Sequence, residues 1–122
     1  MTDAELMSVL SELTAAHGQA GRLTVTCEEA GQADRARLSR EKAAALKREK
    51  DRLTRRLLRA WTGDAAALAA DLAGHNQELA ARAEALRQDM SRAEAFTEAI
   101  GFLDGILAMV KRIGAVNEAA TV

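Results

Sequence analysis

From Ala65 onward an apolar side chain returns at every seventh position: Ala65, Leu72, Leu79, Leu86, Ala93, Ile100 and Leu107. Companions sit four residues after three of these, at Asn76, Ala83 and Met90, and shift later to Phe96, Leu103 and Val110. A heptad sustained this long marks a helix that must lie along another helix, because an apolar stripe of that period has no stable exposure to water. The repeat predicts one helix over about residues 65–113, far longer than the roughly 11 to 12 residues common in globular proteins.

The partner of that helix is expected upstream. Between Ala33 and Ala60, Leu38, Leu46, Leu53 and Leu57 form a narrow apolar stripe within a strongly charged segment. Such a helix has to lay its stripe on a neighbour. Trp61, Thr62, Gly63 and Asp64 separate the two segments and predict a hairpin turn. Gly63 is expected to take the left-handed conformation that ends a helix, and Asp64 to cap the next one. Folding back at this turn places Leu53 opposite Leu72 and Leu46 opposite Leu79.

Composition agrees with helix on helix. Of 122 residues, 48% are apolar and 29% charged, with no proline and 2% aromatic. Alanine and leucine, the best helix formers, supply most of the apolar fraction. With few aromatics to fill a thick core, thin helical seams are expected.

At the N-terminus, Thr2 and Glu5 have the spacing of a capping box, so a helix is expected from residue 3. Leu6, Leu10, Leu13 and His17 share one face of it. Gly18, Gly21, the β-branched run Thr24-Val25-Thr26 and Gly31 then predict an interruption, since each glycine costs a helix roughly 1 kcal/mol relative to alanine. The expected helices are therefore about 3–17, 33–60 and 65–113. The fold class is all-α: an elongated antiparallel coiled-coil hairpin in one domain, 1–122, with an N-terminal helical segment that thickens it into a bundle where the chain ends meet.

The last third of the chain carries the candidate interaction residues. Around a helix advancing 100° per residue, Phe96, Ile100, Leu103, Ile106, Leu107, Val110 and Ile113 belong to an arc of about half the circumference. That is wider than one neighbour can cover, and it points to self-association and to a further protein partner.

Charge is segregated along the chain. Residues 1–33 carry a net −4, residues 34–59 carry +7 and residues 60–122 carry −4. Arg48, Arg52, Arg55 and Arg59 recur at spacings of 4, 3 and 4, and a basic stripe of this kind is an electrostatic footprint for nucleic acid. Interspersed acids, an acidic facing arm with Asp64, Asp71 and Glu78, and the lack of aromatics for base stacking favour neutralisation between helices instead.

Asp71, His75 and Glu78 share one helix face and have the composition of a metal site. Di-iron bundles, however, draw matching ligands from several helices, and none are supplied here. His75 and Asn76 are expected to form a polar layer that sets register. No metal or other cofactor is expected. No nucleophile elbow, phosphate loop or spaced cysteine pair supports catalysis. Cys27 stands alone, and the first residues do not read as a signal peptide, so a reducing, cytoplasmic setting is expected. Asp104, Lys111 and Arg112 interrupt the C-terminal apolar segment before the about 20 residues a membrane span needs, and a membrane surface is not the expected partner.

The run Glu41-Lys42-Ala43-Ala44-Ala45-Leu46, a turn, and then His75-Asn76-Gln77-Glu78-Leu79 resemble the small helical chaperones and coiled-coil hairpin stalk proteins of flagellar and type III export, over about residues 35 to 95. The residues themselves point to a non-enzymatic structural or scaffolding protein that self-associates through its apolar C-terminal helix. The alternatives are a helical chaperone or adaptor for an export or phage-type assembly, as the resemblance implies, and a nucleic-acid-binding helical protein.

Overall fold

A computed structural model describes residues 2–53, 58–59, 61 and 63–120, with side chains placed as far as Ile113. Four long helices organise these residues: α1 (Asp3–Glu29), α2 (Ala33–Arg52), α3 (Ala65–Gln88) and α4 (Ala93–Ala120).

The N-terminal helix starts where the capping box places it. Thr2 N donates to Glu5 Oε2 at 2.8 Å, and Glu5 N donates to the Thr2 hydroxyl at 3.2 Å. The expected interruption after residue 17 is absent, and α1 runs on to Glu29. Glycine cost is local, whereas Ala20, Leu23, Thr24 and Cys27 are all buried. Burying one leucine is worth roughly 1.5–3 kcal/mol, enough to offset two glycines. The Thr24 hydroxyl donates back to the Ala20 carbonyl at 2.9 Å, so its burial leaves no polar hydrogen unpaired.

Gly31 ends the helix. Its φ of 72° is the left-handed value, Gln32 N donates to the Cys27 carbonyl at 2.8 Å and Gly31 N to the Glu28 carbonyl at 3.0 Å. This is a Schellman close, which turns the chain tightly into α2. The expected left-handed residue, Gly63, does not have a positive φ. A Cβ there would run into the Trp61 indole, which a larger residue would have to displace.

The predicted helix over 65–113 is broken at residues 89–92. Asp89 Oδ1 accepts from the Ser91 amide at 3.0 Å and from the Ser91 hydroxyl at 2.6 Å, and Arg92 N donates to the Asp89 carbonyl at 3.1 Å. Aspartate and serine stabilise turns through such local bonds. The heptad runs across this break without being one helix. Ala65, Leu72, Leu79 and Leu86 are buried on α3, whereas Ala93 is exposed and Ile100 half-buried on α4. The predicted 33–60 helix also ends early, with α2 closing at Arg52 and residues 54–57 outside the described set.

The molecule is thus two helical hairpins, α1–α2 and α3–α4, set side by side. Arg40 pairs with Glu28 across the first and Arg82 with Glu98 across the second. Between hairpins α1 runs parallel to α3, Asn76 reaching Glu12, and α2 runs parallel to α4, Lys42 Nζ lying 2.6 Å from Asp104 Oδ1. α2 and α3 lie across a diagonal, with no close backbone approach among the described residues. The expected pairings of Leu53 with Leu72 and Leu46 with Leu79 do not form as a two-helix seam. Those leucines belong instead to one core shared by the four helices.

The physical reason is area. Pairing α2 with α3 alone would leave the buried stripe of α1 and the wide arc of α4 in water, and the four-helix arrangement covers both. The accessible surface is 6774 Å² for 13.0 kDa, close to the roughly 6,300 Å² of a compact monomer and not that of an extended hairpin.

Candidate interaction surface

The C-terminal arc is occupied by its own chain. Phe96, Leu103, Ile106, Leu107, Val110 and Ile113 are all buried, and Ile100 is half-buried. The sequence argument that one neighbour cannot cover this arc holds, because α4 packs on both α2 and α3. The residues expected to carry self-association are thus mostly packed within the single chain. The extra neighbour is another segment of the same polypeptide.

Charged side chains are likewise engaged within the fold. Arg59 lies 2.6 Å from Asp3, Arg52 lies 3.6 Å from Glu49, and Arg48 is exposed. Arg55 falls outside the described residues. Among the described residues the acids expected to face this stripe have other contacts or none shown: Asp64 Oδ1 accepts from Ala67 N at 3.0 Å and caps α3, Asp71 is exposed, and Glu78 pairs with Arg82 one turn on. Compensation of the basic helix comes from α1 and α4, through Glu28 and Asp104.

The trio Asp71, His75 and Glu78 is dispersed in the same way. His75 is half-buried against α4, its Nδ1 2.9 Å from the Asp71 carbonyl oxygen and its ring edge-on to Phe102 at 5.8 Å. Among the described residues no group of three or more His, Cys, Asp or Glu is placed to hold a metal. Asn76, by contrast, is buried in the core, and its amide nitrogen donates to the Glu12 carbonyl and carboxylate at 2.9 and 2.8 Å. The register contact is therefore between α3 and α1.

At the other end of α3, Trp61 is half-buried beside an open cleft of about 200 Å³ that Asp64, Leu68, Asp71, Met109 and Arg112 also line. Near the α1–α2 turn the buried Cys27 thiol is pushed up by desolvation, with Arg35 partly offsetting it. Arg35 itself ties the two turns together, donating to the Met90 carbonyl at 2.8 Å and lying 5.4 Å over the Phe96 ring.

What remains open is the outward side of α1 and α3. On α1, Met7, Ser8, Ser11, Thr14 and Ala15 are exposed and Gly18 half-buried, with Arg22 and Val25 exposed further on. On α3, Ala66, Ala70, Gln77 and Ala81 are exposed beside half-buried Ala69, Ala73 and Ala80. From Leu6 to Gly21 the one carboxylate is Glu12, which is half-buried and held by Asn76. Among the described residues the exposed large hydrophobics are Met7 and Val25, at 53% and 50% exposure, and both lie on this side. Each borders a shallow groove. One of about 590 Å³ is lined by Met7, Ser8, Ser11, Glu12, Ala69 and Ala70, and one of about 610 Å³ by Gly18, Gly21, Arg22, Val25, Thr26, Glu29 and Arg87.

The sequence reading passed over this face. Its signal was the scarcity of charge between Leu6 and Gly21 in a chain that is 29% charged.

No protein-family model matches the chain, and neither curated proteins nor solved structures match it significantly. The resemblance to export chaperones and stalk proteins gains no support from them. Among the described residues, no helix is long and apolar enough to cross a membrane.

Proposed function

We propose that the protein is a non-enzymatic helical-bundle interaction protein, a structural or scaffolding component that meets its partner through the outward side of α1 and α3. The single observation that carries the reading is the placement of Met7 and Val25, the exposed large hydrophobics among the described residues, on one side of α1, whose stretch from Leu6 to Gly21 carries one carboxylate, although Arg22, Glu29 and Arg87 line the groove at Val25. Helix faces that stay in water are ordinarily charged, and contact surfaces lose charge at their centre. The apolar arc of α4, by contrast, is largely covered by the bundle as far as Ile113, with Ile100 and Met109 half-buried.

Hydroxyl-radical footprinting tests the reading. Met7 should oxidise readily in the dilute purified chain and be shielded in extract of cells that make the protein. Half-buried Met109, on α4, should change little between the two. Equal oxidation of Met7 in both conditions would overturn the assignment of this surface.

A further inference from the structure

The two grooves and the two exposed hydrophobic side chains on α1 are arranged as halves of a symmetric contact. We propose that the occupant of the α1/α3 face is a second copy of this chain, with α1 antiparallel to the partner's α1 about a two-fold axis near Ala15 to Gly18. This rests on the preceding reading of the face and names what covers it.

Met7 and Val25 lie on the same side of α1, nine residues to either side of Ala16, about 13 Å along the axis at 1.5 Å per residue. A two-fold rotation there brings Met7 over the partner's groove at Gly18, Gly21 and Val25, which Arg22, Glu29 and Arg87 border. By the same rotation Val25 meets the partner's groove at Met7, Ser8 and Ser11. Symmetry makes each contact occur twice, which is the property of an isologous interface. At the axis stands Ala15, small enough for two helix backbones to approach closely, while the Arg22 guanidinium lies over Gly18.

Charge selects the antiparallel orientation. Arg22 is exposed, folds back over Gly18 and has no ion pair among the described residues. The rotation carries it to within about a helical turn of the partner's Glu12. A parallel pairing would set Arg22 against the partner's Arg22 and leave each groove facing a groove.

The area is adequate. A face about 25 to 40 Å long and two helices wide, at 8–10 Å between axes, offers on the order of 500–700 Å² per copy. Both copies together reach the roughly 1,000 Å² that a specific interface has to clear.

Sedimentation equilibrium on the full chain tests the proposal, with circular dichroism and thermal melts to confirm that each variant is folded. The wild type should be a concentration-dependent dimer. Ala15→Glu, which sets two like charges beside the axis, should weaken it at least about tenfold. Ala108→Glu on the exposed side of α4 should leave it unchanged. Ala15→Cys should form a disulfide-linked dimer on oxidation, whereas Ala108→Cys should not.

A wild type that stays monomeric at its highest soluble concentration would overturn the proposal. So would an Ala15→Glu variant that dimerises as tightly as the wild type, or an Ala15→Cys chain that does not cross-link to itself. A monomer whose Met7 is still shielded in extract would assign the face to a different protein, leaving the functional reading in place and removing the second copy.

Discussion

The buried amide of Asn76 donates two hydrogen bonds to one residue, Glu12, at its carbonyl oxygen and its carboxylate, 64 positions away in the chain. This pair fixes the axial register of the two hairpins, because a slide of α3 along α1 by one turn would strand both groups. The Asn76 carbonyl oxygen is itself buried without a partner in the structure. The contact therefore contributes more to alignment than to net stability.

Removing Asn76 should still be costly. Asn76→Ala leaves the half-buried Glu12 carboxylate without its donor and should destabilise the chain by about 1–3 kcal/mol in chemical denaturation. In a double-mutant cycle with Glu12→Ala the coupling should be smaller, since the bond to the Glu12 backbone survives that substitution. A cycle with no coupling would mean the carboxylate contact contributes nothing.

Two glycines of α4 should respond oppositely to alanine. A Cβ at Gly101 meets open space, so Gly101→Ala should stabilise by about 0.4–1 kcal/mol. A Cβ at Gly105 would lie 2.8 Å from His75 Nε2, so the imidazole would have to leave its place against Phe102. Gly105→Ala should gain less than Gly101→Ala or lose stability, and His75→Ala in the same chain should remove the difference. Equal gains at both glycines in the wild-type background would contradict this packing.

Core and rim of α3 should separate cleanly. Leu79 is fully buried, and Leu79→Ala should cost about 2–5 kcal/mol. Arg82 pairs with Glu78 and Glu98 and lies 5.8 Å over the Phe102 ring, yet it is partly in water. Arg82→Ala should cost no more than about 1–2 kcal/mol by urea unfolding. Comparable losses at the two positions would place Leu79 outside the core.

The α3–α4 turn should leave a pH signature. The Ser91 hydroxyl and then the Ser91 amide hold the Asp89 carboxyl below its ordinary value, with Arg92 adding to the effect. A depressed folded-state value gives a contribution to stability that is present above the unfolded-state value and is lost as pH falls through the folded one. Carboxyl NMR titration should find Asp89 titrating lower than an ordinary aspartate, and Ser91→Ala should move it back up. No movement in that variant would remove the serine as the cause.

The turn also marks the limit of what periodicity can reveal. The heptad from Ala65 to Leu86 correctly lays out the buried face of α3, because period alone decides which side of a helix meets a neighbour. It could not reveal that Leu86 and Ala93 sit on different helices, since a four-residue turn happens to preserve the count. The local chemistry of Asp89 and Ser91 was the available sign. The continuation of α1 through Gly18 and Gly21 was hidden for the reverse reason, because intrinsic propensity is local and the burial of Leu23 and Cys27 is tertiary. The width of the α4 arc was legible, but whether its neighbours come from the same chain depends on the order in which hairpins stack, which no single helix encodes. The α1/α3 face was missed because an absence of charge over Leu6 to Gly21 carries no motif.

Hydrogen exchange of the dilute, monomeric chain tests most directly whether the apolar arc of α4 is satisfied within one molecule. The backbone amides from Ile100 to Val110 should be among the most protected in the protein, and their protection should not depend on concentration. Rapid exchange there at dilution, recovering as concentration rises, would mean that the arc needs a second molecule and that the four-helix packing of the single chain is not its stable form.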